Sequence, residues 1–272
     1  MPKTTVAAID LGATSGRVIV GQVSPEGIDL TEAHRFPNSF RELNNHQYWE
    51  VGTLFSEICT GLSEAKRLFP ELRSCGVDTW GVDYVLTDRN GRLVFPPHAY
   101  RDERTAGIMK RIRDNGDERR LFNLTGLPLV NYNTGLQLAE TLESVPGIRE
   151  VADQVMMLPE YFNFLLTGIS GCEYSDASTT QLLQVDGMDW SREALDYFDI
   201  PKEWMVSPRK AGNILGKVIN PKGLEDVDLA LVPGHDTSCA FEAIPRDGNS
   251  LIVSSGTWML VGAFTDLSLI HI

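Results

Sequence analysis

Apolar and polar positions alternate from the start of the chain: Val6, Ala7, Ala8 and Ile9 lead to Asp10 and Leu11. Small residues follow through Gly16, and Val18, Ile19 and Val20 form a second apolar run. That pattern predicts a strand, a tight loop and another strand, and residues 28–36 predict a third, so the sheet opens with consecutive antiparallel pairing. Val51, Leu54, Phe55, Ile58, Leu62, Ala65 and Phe69 then fall at helical spacing and Pro70 closes the segment, which predicts a long helix packed on that sheet. Residues 75–77 and 82–86 read as short strands, and Asn90-Gly91 marks a turn into residues 92–95 before Pro96-Pro97 ends the regular pattern. The middle of the chain is mainly helical. Asn133 or Thr134 caps a helix carrying Leu136, Leu138 and Leu142; residues 159–166 start at a proline and stop at Gly168; Asp189 or Ser191 caps a further short helix. Near the end, residues 229–232 form a strand leading into Gly234-His235-Asp236-Thr237, and residues 251–253 one leading into Ser254-Ser255-Gly256-Thr257.

The length, 272 residues, fits one or two domains with a sizeable core. A formal charge of −13 argues against a general nucleic-acid or anionic-membrane surface, so any phosphate ligand has to be held locally. Cys59, Cys75, Cys172 and Cys239 show no paired metal-ligand spacing, nothing at the start resembles a secretory leader, and a cytoplasmic setting with reduced thiols is expected. No apolar run approaches the roughly 20 residues that span a bilayer.

The chemistry concentrates at three strand-to-turn junctions: Asp10 to Arg17, Asp78 to Asp83, and His235 to Thr237, with Gly256-Thr257 as a fourth small-residue turn. In the first, Gly12, Ala13, Thr14, Ser15 and Gly16 leave backbone N–H groups open to a polyphosphate, and Asp10 can hold a hydrated Mg²⁺ against it. It is not a Walker A loop, because no Gly-Lys-Ser/Thr is present and a strand follows rather than a helix. Each junction has a plain structural alternative: a glycine-rich hairpin for the first, turn chemistry around the Trp80 anchor for Asp78 and Asp83, and a helix N-cap for Asp236 beside a packed His235. Arg101 and Asp102 read equally as a solvated ion pair.

Together, Asp10-Leu11-Gly12-Ala13-Thr14-Ser15-Gly16-Arg17, Val77-Asp78-Thr79-Trp80-Gly81-Val82-Asp83, Tyr100-Arg101-Asp102-Glu103-Arg104-Thr105, Gly234-His235-Asp236-Thr237 and Ser254-Ser255-Gly256-Thr257-Trp258 resemble the FGGY family of carbohydrate kinases. Ala13 with Ser15-Gly16-Arg17 resembles the branch acting on rhamnulose, other branches usually carrying Gly-Thr in that loop. The resemblance implies an α/β fold of the actin and hexokinase type: a ribonuclease-H-like lobe with a mixed sheet flanked by helices, residues 1–246 forming the N-terminal domain and residues 247–272 the truncated start of the second lobe. It implies ATP in the cleft, its phosphates met by Ala13, Thr14, Ser15, Gly16 and Arg17 and, from the second lobe, by Thr257, with Asp10 positioning Mg²⁺ through water. Gly81, His235, Asp236 and Thr237 match sugar-binding positions, Asp236 also matches the catalytic base, and the implied product is L-rhamnulose 1-phosphate. The implied partners are L-rhamnulose and ATP, with no nucleic acid or membrane. The family's second lobe is complete, whereas residues 267–272 match nothing in its pattern, so this stretch alone is expected to be weakly active or inactive. The competing readings are a non-catalytic sugar-binding module, a kinase for another ketose such as L-fuculose or xylulose, and an actin-like ATPase, for which the sugar-site segment Trp80-Gly81-Val82-Asp83 would be unexpected.

Overall fold

The computed structural model describes residues 3–185, 189–245, 250–255 and 259–264. Strands β1 (Thr4–Leu11), β2 (Ser15–Ser24) and β3 (Gly27–Pro37) form the expected antiparallel meander. Their period-2 pattern sets the faces. Ala7, Ile9, Leu11, Val18 and Val20 are buried on one side, while Asp10 and Arg17 lie on the other. A hairpin of β4 (Phe40–Leu43) and β5 (His46–Trp49) comes next. Its turn places Asn44 and Asn45 at φ 51° and 63°, the left-handed pair that a two-residue hairpin needs, and the signal in the sequence was that Asn-Asn dipeptide.

Helix α1 (Val51–Leu68) buries Leu54, Ile58, Leu62 and Ala65 against the sheet, as its spacing predicts. It lies so close that a Cβ on Gly61 would sit 2.4 Å from Val18 Cγ2. Strand β6 (Ser74–Thr79) then pairs in parallel with β1, with Asp78 opposite Asp10. Strand β7 (Tyr84–Thr87) starts two residues later than the sequence suggested, because Val82 adopts φ 69° and breaks the extended run. Residues 92–95 make no strand, only a single bridge from Leu93 to Thr87, because Asp88 Oδ1 accepts the N–H groups of Asn90 and Arg92 and curls the segment into a turn.

The helical middle contains α2 (Ala106–Asn115), α3 (Glu118–Thr125), α4 (Thr134–Ser144) and α5 (Ile148–Val151). Strand β8 (Gln154–Met157) pairs with β7, and α6 (Leu158–Thr167) ends at Gly168, whose φ of 74° suits a glycine. Strand β9 (Cys172–Glu173), α7 (Tyr174–Ala177) and α8 (Arg192–Tyr197) follow, Ser191 capping α8 through Ala194 N–H. The remaining elements are β10 (Pro208–Arg209), β11 (Ile214–Lys217), β12 (Asp228–Ala230), α9 (Asp236–Glu242), and a final antiparallel pair, β13 (Ile252–Ser255) with β14 (Met259–Gly262).

The main sheet runs β11-β12-β6-β1-β2-β3, with β1, β6 and β12 mutually parallel and the outer strands antiparallel. This mixed order is the ribonuclease-H-like arrangement of the actin and hexokinase type. One core joins the sheet to α1 and α6, and a second, around Leu121, Leu136, Leu138, Trp190 and Phe198, holds the helical middle. No helix among the described residues is long and apolar enough to cross a membrane.

Candidate functional site

The register places a row of charges across the sheet face opposite the α1 side. Asp10 stands beside Arg17 on β2 and Asp78 on β6, all near the ends of their strands. Arg17 Nε lies 3.3 Å from Asp10 Oδ2 without the alignment of a hydrogen bond. Burial raises the Asp10 carboxyl above its ordinary value; Arg17 opposes the shift and Asp236 adds to it. Asp78 is pushed well above the usual carboxylate range, first by burial and then by Asp10 and Asp236. Three carboxylates therefore converge in one partly dry place.

The β1–β2 loop beside them is held from below. Gly12 N–H donates to Ser15 O at 2.9 Å, and Asn38, which sequence reasoning missed, clamps the loop by donating its N–H to Thr14 O (2.9 Å) and its Nδ2 to Gly12 O (2.8 Å). These contacts occupy carbonyls. The N–H groups of Ala13 and Thr14 take no partner among the described residues. Gly16 differs from its neighbours: it faces the core, where a Cβ would sit 2.4 Å from the Phe36 ring, so packing against Phe36 requires the glycine there.

The Trp80-Gly81-Val82-Asp83 turn is fixed by contacts remote in sequence. A Cβ on Gly81 would come within 2.8 Å of Thr179 Cγ2, and Thr179 Oγ1 accepts Val82 N–H at 3.0 Å. Val82 O accepts Thr134 Oγ1–H at 2.7 Å, so the β-branched residue is locked in its left-handed conformation from both ends. Asp83 is fully buried. Its Oδ2 accepts Trp49 Nε1–H (2.5 Å), Trp80 Nε1–H (2.9 Å) and Tyr100 N–H (3.1 Å), and its Oδ1 accepts Gln137 Nε2–H (3.2 Å). Burial still raises it to about 6 against those bonds.

His235 bridges to Thr79 at the end of β6, and Thr79 N–H donates to Gly234 O at 2.9 Å, which sets His235-Asp236-Thr237 beside the strand ends. His235 occupies the N-cap position of α9 with no side-chain cap bond, and burial lowers its pKa. Asp236 is the first helical residue; its Oδ1 accepts Thr237 N–H (2.5 Å) and Thr237 Oγ1–H (3.1 Å). Its Oδ2 has no hydrogen-bond partner among the described residues, and the side chain is 38% exposed. Glu173 holds this segment from beneath. Its Oε2 accepts Gly234 N–H and Ser175 N–H, both at 2.8 Å, and Ser175 Oγ–H at 2.5 Å, while Ser175 Oγ accepts His235 N–H at 3.4 Å. Glu173 N–H in turn donates to Glu160 Oε1 at 3.1 Å, and burial raises Glu160 to about 7. The nearby Asp176 is also fully buried, neither of its oxygens hydrogen-bonded among the described residues, and burial with four surrounding carboxylates pushes it well above the usual range.

The structure thus brings Asp10, Ala13, Thr14, Ser15, Arg17, His235, Asp236 and Thr237 to one end of the main sheet, with the Gly81 turn following directly from β6. Gly16 supports the loop from the core side, and Thr257 lies outside the described residues. Glu173 and Asn38 are the supporting residues that sequence left unmarked, whereas Asp83 was marked by its place in the aromatic turn.

Comparison with known proteins bears on the family and the fold. The family model for the N-terminal domain of the FGGY family of carbohydrate kinases matches residues 5–229. A rhamnulokinase of Pectobacterium atrosepticum is 36% identical over 269 residues, covering 98% of this chain and 54% of the relative; one of Mannheimia succiniciproducens is 38% identical over 263 residues, covering 96% and 54%. The chain spans about half the length of the curated relatives it matches. Among solved structures, a carbohydrate kinase from Novosphingobium aromaticivorans superposes with a TM-score of 0.81 at 20% identity, covering 99% of this chain and 58% of that one. A xylulose kinase from Rhodospirillum rubrum gives 0.78 at 18%, covering 92% and 52%. With the family model spanning most of the chain and the sheet order matching the fold, the chain belongs to the FGGY family of carbohydrate kinases.

Proposed function

We propose that this chain is the sugar-binding and base-supplying part of an ATP-dependent kinase that converts L-rhamnulose to L-rhamnulose 1-phosphate. The observation that carries the reading is the convergence of Asp10, Asp78 and Asp236 beside a loop with open N–H groups and beside Arg17. Gly81, His235 and Thr237 shape the sugar site, and Asp236 Oδ2 takes the proton of the attacking hydroxyl as its oxygen bonds to the γ-phosphorus of ATP and ADP departs. Asp236 need not be strongly basic, because the proton is lost as the new bond forms. Ala13 and Thr14 supply backbone N–H groups to the phosphates, Ser15 and Gly16 carry the loop back into β2 beside them, and Arg17 offsets the charge that develops there. Thr257 is assigned to the same phosphates.

A divalent cation such as Mg²⁺ fits the donor chemistry, since clustered carboxylates are hard oxygen ligands whose mutual repulsion a cation relieves. Asp10 would hold it through water, and when bound it supplies charge neutralisation on the phosphates. Rhamnulokinase relatives at 36% and 38% identity favour L-rhamnulose over L-fuculose or xylulose. Residues 1–246 are assigned to the N-terminal domain and residues 247–272 to the opening of the second. The relatives' additional length suggests that the nucleotide is gripped from two sides, so residues 1–272 alone should turn over slowly, in-line alignment needing both walls.

Calorimetric titration of residues 1–272 with L-rhamnulose, L-fuculose and xylulose tests the assignment. Saturable binding favouring L-rhamnulose, retained in Asp236→Asn and lost in Gly81→Leu, is expected. Equal or absent binding of all three sugars by folded protein would overturn it.

A further inference from the structure

The β4–β5 hairpin and the chain that follows Pro97 bring two imidazoles and a carboxylate together apart from the strand-end site. Backbone bonds fix their approach: Tyr48 bridges to His98, Trp49 N–H donates to Pro97 O at 2.9 Å, and Ala99 N–H donates to Gln47 O at 2.8 Å. Side chains alternate along a strand, so His46 and Tyr48 share the face that His98 joins. The His98 ring lies 4.5 Å from that of Tyr48 and 5.4 Å from that of His46, the two imidazoles nearly perpendicular at 83°. His46 Nδ1 is 3.2 Å from Asp102 Oδ2, and one ligand atom from each of His46, His98 and Asp102 falls within 4.8 Å of the others.

Asp102 and His98 are in the right chemical state to bind a cation. Asp102 is oriented by Gln47 N–H (2.7 Å) and Arg104 N–H (2.9 Å); burial would raise its pKa, but these bonds and His46 keep it below the usual range, so it is ionised. The His98 ring makes no hydrogen bond among the described residues, and burial with the Arg104 charge lowers it to about 3, so its imidazole is neutral. Arg104, whose charge acts on His98, is engaged by Glu140 and by Gln137 O at 2.9 Å. The local charge that remains is that of Asp102.

We propose that His46, His98 and Asp102 form a binding site for a borderline divalent transition metal of the Zn²⁺, Co²⁺ and Ni²⁺ class. Two imidazoles and one carboxylate suit such ions, whereas Mg²⁺ prefers oxygen and water. Ligands bonded to one ion at about 2.0–2.2 Å stand roughly 3–4 Å from one another. The His46–Asp102 separation already lies in that range, the three ligand atoms lie within 4.8 Å of one another, and His46, whose side chain is 39% exposed, is free to rotate its nitrogen towards a shared ion. The bound ion would tie the hairpin to the segment carrying Tyr100, whose N–H donates to Asp83, and so brace one wall of the aromatic turn.

Untagged residues 1–272 titrated with Co²⁺, followed by calorimetry and by the visible d–d absorption, provide the test. One saturable equivalent that excess Mg²⁺ does not displace is expected, with at least about a tenfold loss of affinity in His46→Ala, a half-buried position whose replacement is expected to leave the circular dichroism spectrum unchanged. Copper electron paramagnetic resonance gives a second readout that needs no buried substitution: nitrogen hyperfine structure from two imidazoles in the parent and one in His46→Ala. No saturable Co²⁺ binding, or unchanged affinity and nitrogen count in His46→Ala, would overturn the site. Neither outcome bears on the kinase reading, which does not involve these residues.

Discussion

Replacing Asp83 by Asn isolates the cost of burying a charge beneath the candidate sugar site. The carboxyl is raised from 3.8 to about 6, and a difference of about two units is worth about 3 kcal/mol at full ionisation. The folded state holds this proton more tightly than the unfolded chain does. Its contribution to stability is therefore fullest below the unfolded value, is lost as pH rises towards about 6, and stays flat above. Asn carries no charge at any pH, but its amide would set a donor against Gln137 Nε2. That group cannot readily turn, because it donates to Tyr132 O at 2.9 Å while Gln137 Oε1 accepts Arg104 Nη2–H at 3.0 Å. Such a clash of donors costs about 1–3 kcal/mol and does not depend on pH. Asp83→Asn should accordingly be less stable than the parent in acid, with the gap narrowing by about 2 kcal/mol between about pH 4.5 and pH 7.5. Urea unfolding followed by tryptophan fluorescence reads both, Trp49 and Trp80 being direct partners of the carboxylate. A gap constant to within about 0.5 kcal/mol across that range would refute the reasoning.

Gly61→Ala should destabilise by about 1–3 kcal/mol, because its Cβ meets Val18 at 2.4 Å, whereas helix propensity alone predicts a gain; the sign of the shift in a thermal melt decides between them. Gly16→Ala should likewise lose about 1–3 kcal/mol through its clash with Phe36, and a stability unchanged from the parent would show that the ring yields freely. Glu173→Ala should speed amide exchange at Gly234 at least about tenfold and weaken sugar binding, with Glu173→Gln partly restoring both; unaltered exchange in the alanine variant would remove Glu173 from the support of the Asp236 segment.

Local pattern made the β1–β2 loop and α1 legible, since alternation and helical spacing each report on neighbours a few residues apart. The cage of Asp83 was not legible in that way. Its partners Trp49 and Gln137 lie 34 and 54 residues away, and only packing brings a hairpin, a turn and a helix onto one carboxylate. Glu173 stands 61 residues before Gly234, so its hold on the Asp236 segment has no local trace. The pairing of Asp10 with Asp78 is a register across parallel strands, which the residues show only once β6 is placed beside β1. Gly16 was readable as a glycine the loop needs, but the need is set by the Phe36 ring on the next strand. Residues 92–95 misled for the opposite reason: an apolar run after Asn-Gly suggests a strand, but Asp88 captures Arg92 N–H and the pairing goes no further than the bridge at Leu93.

The central claim is that Asp236 takes the proton of the sugar hydroxyl. It is tested most directly by single-turnover phosphoryl transfer from ATP to L-rhamnulose in the intact protein that contains residues 1–272, parent against Asp236→Asn, with sugar affinity measured alongside. Transfer slowed by about 10²–10⁴ is expected, with the dissociation constant for L-rhamnulose changed by less than about threefold. Transfer at near-parental rate in the asparagine variant, with sugar saturating, would contradict it and leave Asp236 as a residue that only orders the first turn of its helix.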